Sequence, residues 1–192
     1  MSRILREHDC PSVAWKNGQG RTRQLAIFPD AADSDEFLWR VSVAEVDSAA
    51  PFSSFPGIDR QIALLRGAGF TMTLDRRQRH ALVTPFEPFA FAGEADVEVE
   101  LVDGATQDFN LMLRRGKADG RIDVLHGAGS HIVNHNVVLL YCAAGQCATP
   151  DGVLSVGDSW LTPLSAAELV LSSDGVALAV VVALPAPDSS AK

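Results

Sequence analysis

The feature that most constrains the fold of this chain is the alternation of apolar and polar residues in short runs. In FLWRVSVAEV, at positions 37–46, one face would present Phe37, Trp39, Val41 and Val43, and the other Leu38, Arg40, Ser42 and Ala44. A period of two residues is typical of a β-strand with one buried face. No segment shows the 3.6-residue period of a long amphipathic helix. The chain is therefore predicted to be all-β.

Similar runs recur along the chain and are separated by turns rich in Gly, Asp and Pro. The clearest are QIALLR at 61–66, FTMTL at 70–74, VEVELV at 97–102, FNLMLRR at 109–115, HIVNHNVVLLYCAA at 131–144 and VLSVGDSWLTP at 153–163. ELVLSS and VALAVVVAL, joined by a turn at Asp174-Gly175, are predicted to close the fold as a hairpin. This many short strands indicates a sandwich or barrel of two packed sheets. A weak internal repetition favours two small jelly-roll units.

Composition excludes several classes of partner. Lys and Arg number 16 and Asp and Glu 24, which gives a formal net charge of −8 over 192 residues. This balance argues against a nucleic acid or an anionic membrane as the main partner, although a local Arg could still bind a small anion. The N-terminus lacks the apolar run of a signal peptide, so we expect a cytoplasmic protein with Cys10, Cys142 and Cys147 as free thiols.

The stretch PFSSFPGIDR, at positions 51–60, contains more than a connecting loop needs. Pro56-Gly57 predicts a tight turn, and Asp59 could simply brace Arg60 as a structural ion pair. The alternative is that Arg60 binds a carboxylate or formyl-type oxygen, with Ser53 or Ser54 as a second donor and Phe52 or Phe55 excluding water. An enclosed Arg needs a partner, because an unpaired buried charge is costly. Tolerance of Arg60→Ala would favour the ligand, whereas a loss of ~2 kcal/mol or more would favour the Asp59 pair.

Two other stretches leave structural and functional interpretations open. In VAWKNGQGRTRQLAIFP, at 13–29, the glycines either form a hairpin turn or direct backbone N–H groups at a ligand. On the strand at 37–46, the face with Arg40, Ser42 and Ala44 either contacts solvent or lines the mouth of a barrel with room for a ligand.

Searches for a metal site or a catalytic nucleophile give no motif. His131 and His135 in HIVNH would lie some 13 Å apart on a strand, too far apart for one ion. There is no GxSxG, HExxH or phosphate loop. An enzyme would need a general acid or base in the pocket, and Glu45 and His80 are the candidates that the sequence offers. We predict no metal and no cofactor.

The blocks WKNGQGRTRQLA, FLWRVSVAEV, PFSSFPGIDR and DFNLMLRRG, in that order, resemble the HutD/Ves family over roughly residues 10–185. The family pattern usually has GGG where this chain has GQG, and Glu in place of Gln24. The resemblance implies a bicupin fold without the usual cupin metal, with cupin-like halves at roughly 10–115 and 116–185 in one compact domain, and 186–192 as a flexible tail. It also implies a pocket for formyl-type or imidazole-pathway intermediates in which Arg60 binds, and a regulatory role in histidine breakdown.

From the shared blocks we extend the predicted ligand-binding set to Arg60, Asn17, Ser53, Phe52 and Asn110. The ligand would be a small acidic metabolite such as N-formyl- or formimino-glutamate or urocanate. A metal-independent cupin enzyme, an isomerase or hydrolase, is the alternative, and a scaffold that binds another protein through a sheet surface is a third. The sequence leaves open whether the protein forms a homodimer.

Overall fold

A computed structural model describes residues 2–15, 18–30 and 36–185 of the chain. Within these ranges the regular structure consists of β-strands and one short 3-10 helix, Glu7–Asp9, so the all-β prediction is confirmed. No helix among these residues has the length and apolar character needed to cross a membrane.

The strands fall into an N-terminal and a C-terminal series. The first ten are β1 Arg3–Leu5, β2 Ser12–Ala14, β3 Gly20–Phe28, β4 Trp39–Val46, β5 Ile58–Arg66, β6 Phe70–Leu74, β7 Gln78–Leu82, β8 Phe89–Ala92, β9 Val97–Leu101 and β10 Thr106–Arg114. The remaining eight are β11 Asp119–His126, β12 Gly129–Val133, β13 Val137–Ala144, β14 Gln146–Thr149, β15 Gly152–Ser155, β16 Ser159–Leu161, β17 Ala167–Leu171 and β18 Val176–Ala183.

These strands form four antiparallel sheets. The N-terminal series gives a six-stranded sheet in the order β2-β3-β4-β10-β5-β8 and a three-stranded sheet β7-β6-β9. The C-terminal series gives a five-stranded sheet β1-β16-β13-β18-β11 and a four-stranded sheet β12-β17-β14-β15. β1 joins the C-terminal sheet by pairing with β16, so the first strand of the chain belongs with the last part of the fold.

The alternation in the strands explains where the cores lie. Val41 and Phe109 of the six-stranded sheet belong to one buried cluster with Leu139 and Leu178 of the five-stranded sheet, so the outer faces of these two sheets pack on each other. A second cluster lies between the five- and four-stranded sheets, and a third between the six- and three-stranded sheets. The other face of β4, opposite to Val41, therefore points into the space between the six- and three-stranded sheets.

The predicted closing hairpin is wrong. β17 pairs with β12 and β14, whereas β18 pairs with β11 and β13, so the two strands lie in different sheets. The turn itself is present, because the Gly175 N–H donates to the Ser172 carbonyl. Both strands are apolar and adjacent in sequence, which favours a hairpin locally. Instead, β17 and β18 lie in two sheets that face each other, and Leu169 and Leu171 of β17 share one buried cluster with Ala177 and Ala179 of β18.

Candidate functional site

A cavity of about 420 Å³ lies on the inner face of the six-stranded sheet. Its floor is formed by alternate residues of two neighbouring strands: Arg40, Ser42 and Ala44 of β4, and Asp108, Asn110 and Met112 of β10. The volume lies in the range of small-molecule sites, about 300–1,000 Å³. Of the two sequence interpretations of the Arg40 face, the structure supports the one in which that face lines a pocket.

The register of the strands sets the order of the side chains across the floor. Met112 of β10 is paired with Arg40 of β4 on one side and with Arg60 of β5 on the other. Asn110, two residues before Met112 on β10, is opposite Ser42 of β4. Paired residues point to the same face of a sheet, so the two Arg side chains enter the cavity from either side of Met112.

Arg60 is buried, with 5% of its surface exposed, and it is enclosed by aromatic rings. Its guanidinium carbon lies 4.8 Å from the ring centre of Phe91, 5.2 Å from that of Phe52 and 5.5 Å from that of Phe55. Its Nε has no hydrogen-bond partner among the described residues. Burial lowers the pKa of Arg60 to about 10, although the negative charge of Asp108 raises it. Because this pKa is still well above 7, the group remains cationic at neutral pH.

The Asp59–Arg60 ion pair that the sequence left open is not formed. Asp59 Oδ1 lies 2.7 Å from Arg115 Nη2, and Arg115 Nη1 lies 2.6 Å from Glu94 Oε1. Adjacent residues of a strand point to opposite faces, so Asp59 turns to the outer side while Arg60 turns inward. The hydrogen bonds from Arg115 lower the pKa of Glu94 to about 2.

Asp108 is the functional candidate that the sequence analysis missed. It is 1% exposed, lines the cavity, and neither of its carboxylate oxygens accepts a hydrogen bond from a described residue. Burial raises the pKa of this carboxyl to about 7, although the positive charge of Arg60 lowers it. The signal was its position two residues before Asn110 in DFNLMLRR, which puts both side chains on one face of β10.

The segment 51–57 forms the rim of the cavity beside Arg60. Phe52 and Ser53, both predicted site residues, line the cavity together with Phe55. Two backbone bonds hold the segment: Phe52 N donates to the Val97 carbonyl at 3.0 Å and Phe55 N to the Gly93 carbonyl at 2.7 Å. A Cβ on Gly93 would lie 2.7 Å from the Phe55 carbonyl oxygen, so a glycine is required for this close approach.

Ala14, Trp15 and Thr22 line the cavity from the side of β2 and β3. Trp15 lines it and donates from Nε1 to Thr22 Oγ1 at 2.7 Å. Gly18 N donates to the Trp15 carbonyl, so this N–H serves the turn rather than a ligand, as the hairpin interpretation predicts. Gly20 allows the Trp15 ring to lie against the backbone, since a Cβ there would be 2.8 Å from the ring. Asn17, a predicted site residue, lies outside the described residues.

The two general acid–base candidates of the enzyme alternative are not among the described residues that line the cavity. Glu45 accepts a hydrogen bond from Gln107 Nε2 at 3.5 Å. His80 stacks on Phe89 with ring centres 3.6 Å apart, and burial lowers its pKa. Within the described ranges no group of three or more His, Cys, Asp or Glu side chains could hold a metal ion. The three cysteines are free thiols.

The sequence is similar to a known protein family and to several of its members. The family model described as HutD matches residues 7–183. An uncharacterised 21.2 kDa protein in the hutC 3′ region of Pseudomonas putida is 34% identical over 144 residues, 74% of each chain. Protein Ves of Cronobacter sakazakii is 39% identical over 115 residues, 59% of this chain and 61% of its own.

Solved structures agree with the fold over nearly the whole chain. HutD from Pseudomonas fluorescens SBW25, determined in a formate condition, has a TM-score of 0.84 at 26% identity and covers 97% of this chain and 100% of its own. A conserved protein of unknown function from Pseudomonas aeruginosa PAO1 has a TM-score of 0.83 at 30% identity, over 95% of this chain and 98% of its own. A cupin 2 conserved barrel domain protein from Leptotrichia buccalis, at 8% identity and a TM-score of 0.60 over 94% of this chain and 96% of its own, shares the fold.

Proposed function

The chain belongs to the HutD family, and from that premise we propose that it is a regulatory protein of histidine utilisation that binds a small acidic metabolite. The compounds that fit this proposal are pathway intermediates such as N-formyl- or formimino-glutamate and urocanate. The observation that supports it most is Arg60: a buried guanidinium that faces a cavity of metabolite size and whose Nε has no hydrogen-bond partner among the described residues.

A carboxylate suits Arg60 for three physical reasons. The guanidinium offers several N–H donors in one plane, which match the two oxygens of a carboxylate. Its charge is enclosed by Phe52, Phe55 and Phe91, where water screens it weakly. Ser53, on the rim of the same cavity, adds a neutral donor. Asn110, on the cavity floor, offers a further amide for orientation.

We extend the proposal to the architecture. The six- and three-stranded sheets come from residues 12–114 and the five- and four-stranded sheets mostly from residues 119–183. This division supports two cupin-like units, roughly 10–115 and 116–185, of which the first holds the site. The cupin-like neighbours are in keeping with this interpretation.

Isothermal titration with N-formyl-glutamate, formimino-glutamate and urocanate tests the proposed function. Wild-type protein should bind at least one of them. Arg60→Met keeps the length of the side chain but removes its charge, and it should weaken that binding about 10- to 100-fold, because a charged hydrogen bond contributes about 1.5–3 kcal/mol. Arg79→Met, at an exposed Arg of β7, is the matched control. Binding that survives Arg60→Met unchanged would refute the proposed role of Arg60.

One observation favours a second candidate function, a metal-independent cupin enzyme such as an isomerase or hydrolase. Asp108 lies in the same cavity, and its pKa of about 7 suits a general acid or base near neutral pH. NMR spectra of the same compounds during incubation with the protein separate the two. A binder leaves them intact, whereas an enzyme converts them at a rate that Asp108→Asn reduces by orders of magnitude.

A further inference from the structure

The floor of the cavity presents three buried acceptor oxygens that no described protein group satisfies. They are the two carboxylate oxygens of Asp108 and Oδ1 of Asn110. Both side chains line the cavity, both belong to β10, and they are 1% and 6% exposed. Buried polar atoms are nearly always hydrogen-bonded in folded proteins. Three such acceptors side by side in one cavity therefore point to a ligand that brings donors.

The carboxylate of the ligand cannot fill this role. A carboxylate offers only acceptor oxygens, and the ionised Asp108 would repel it. Arg60 has the opposite properties, since it has only donors and is positively charged. The cavity is thus divided into a donor part at Arg60 and an acceptor part at Asp108 and Asn110.

A cavity divided in this way fits a ligand that carries both a carboxylate and a hydrogen-bond donor. This inference rests on the proposed binding function of Arg60. We propose that Asp108 and Asn110 form a second recognition subsite that accepts hydrogen bonds from an N–H group of the same ligand. The protein then selects carboxylates that also bear an imidazole, amidine or amide nitrogen over simple carboxylates of equal size. Asp108 is the residue that determines this specificity.

The charges around Asp108 make this selection dependent on pH. The strands on either side of β10 contribute Arg40 from β4 and Arg60 from β5 to the cavity, and β3 contributes the uncharged Thr22. An N–H donor bonds to the ionised carboxylate, so binding must deprotonate Asp108 wherever it is protonated in the free protein. With a pKa of about 7 for this carboxyl, affinity for the N–H ligand should fall about tenfold between pH 8 and pH 6.

A matched pair of ligands tests the subsite. Urocanate has an imidazole ring joined to an acrylate, and 3-(2-furyl)acrylate has the same shape and carboxylate but no ring N–H. By isothermal titration at pH 8, wild-type protein should bind urocanate at least about tenfold more tightly, which corresponds to about 1.4 kcal/mol. Asp108→Leu, which has nearly the same shape but no acceptor oxygen, should bind the two compounds within about threefold of each other. Retained binding of furylacrylate shows that this variant is folded.

The pH dependence provides an independent readout. The ratio of wild-type to Asp108→Asn affinities for N-formyl-glutamate should fall about tenfold from pH 8 to pH 6. The amide N–H of this ligand does not titrate in that range and its carboxylates stay ionised, so the change in the ratio reports the titration of Asp108. A ratio that instead rises toward pH 6 would mean that Asp108 donates a proton to the ligand, and would overturn the proposal.

The outcomes separate this inference from the proposed function. If wild-type protein binds both compounds equally and Arg60→Met abolishes both, Arg60 binds carboxylates but the N–H subsite is refuted. If wild-type protein binds neither compound, N-formyl-glutamate and glutarate, which lacks the amide N–H, replace them in the same comparison. Absence of binding to all four refutes the proposed function and the subsite with it.

Discussion

Replacing Asp108 by Asn should stabilise the ligand-free protein, and the gain should depend on pH. A carboxyl has a pKa near 3.8 when it is exposed in an unfolded chain, whereas burial raises that of Asp108 to about 7 in the folded protein. Between these values the unfolded chain loses the proton and the folded protein keeps it. The contribution of Asp108 to stability is therefore most favourable below about pH 4, falls as the pH rises to about 7, and is constant above that.

The size of the effect follows from the difference of about 3 pH units. At 1.36 kcal/mol per unit, the wild-type protein loses about 4 kcal/mol of its free energy of unfolding between pH 4 and pH 7 through this one group. Asn has no proton to lose, so Asp108→Asn avoids this loss. Its amide, however, remains buried and costs about 1–3 kcal/mol wherever it finds no partner. We expect a net gain of about 1–3 kcal/mol at pH 8, after the two effects are combined.

Urea unfolding followed by tryptophan fluorescence at pH 4, 5, 6, 7 and 8 measures the effect. The quantity to plot is the difference in unfolding free energy between Asp108→Asn and wild type, which should rise by about 4 kcal/mol from pH 4 to pH 7 and then level off. Asp103→Asn, at an exposed position, is the control and should follow the wild type. A difference for Asp108→Asn that stays constant across the pH range would refute the reasoning.

Three further predictions follow from the contacts described above. Asp59→Ala should leave the affinity for acidic ligands within about twofold of wild type, because Asp59 pairs with Arg115 and not with Arg60; titration of this variant beside Arg60→Met checks it. Asp158→Ala should lower the unfolding free energy by about 2–4 kcal/mol in urea at pH 7, since that buried carboxylate accepts hydrogen bonds from three groups, including two of the N-terminal segment. The same bonds lower the pKa of Asp158, so this contribution should be present above about pH 4 and disappear as the pH falls below that. Cys142 and Cys147 should react with a thiol reagent at pH 8 only when the protein unfolds, because burial raises the pKa of these thiols to about 12 and 11; fast labelling of either in native protein would contradict this.

The sequence predicts strands and faces well because both depend on local alternation. FLWRVSVAEV separates Val41 from Ser42 correctly, and FTMTL has the bounds that the structure gives to β6. Alternation also contains the information that Arg60 and Asp59 point in opposite directions. Proximity in sequence suggested an ion pair between them, but the partner of Asp59 is Arg115, which β10 brings alongside from 56 positions away.

The pairing of strands and the acidic part of the site could not be predicted in the same way. Nothing within the segment around Asp174-Gly175 reveals that its two strands enter different sheets, since that depends on which distant faces they cover. Asp108 was missed for a related reason. In sequence it precedes FNLML and looks like the polar end of a turn, whereas β10 begins at Thr106 and carries Asp108 into the interior. Only the pairing with β4 and β5 buries it.

The aromatic rings around Arg60 explain how the fold tolerates a buried guanidinium that has no direct carboxylate partner. A buried guanidinium without a direct carboxylate partner is costly, but each aromatic face can return about 0.5–2 kcal/mol through cation–π attraction. Phe91 is paired with Arg60 across β5 and β8, and the rim segment supplies Phe52 and Phe55. The same contacts fix the side chain before a ligand arrives, so binding loses little of its rotamer entropy. Stability and preorganisation thus come from the same three rings, and the hydrogen-bonding capacity of Arg60 is left for the ligand.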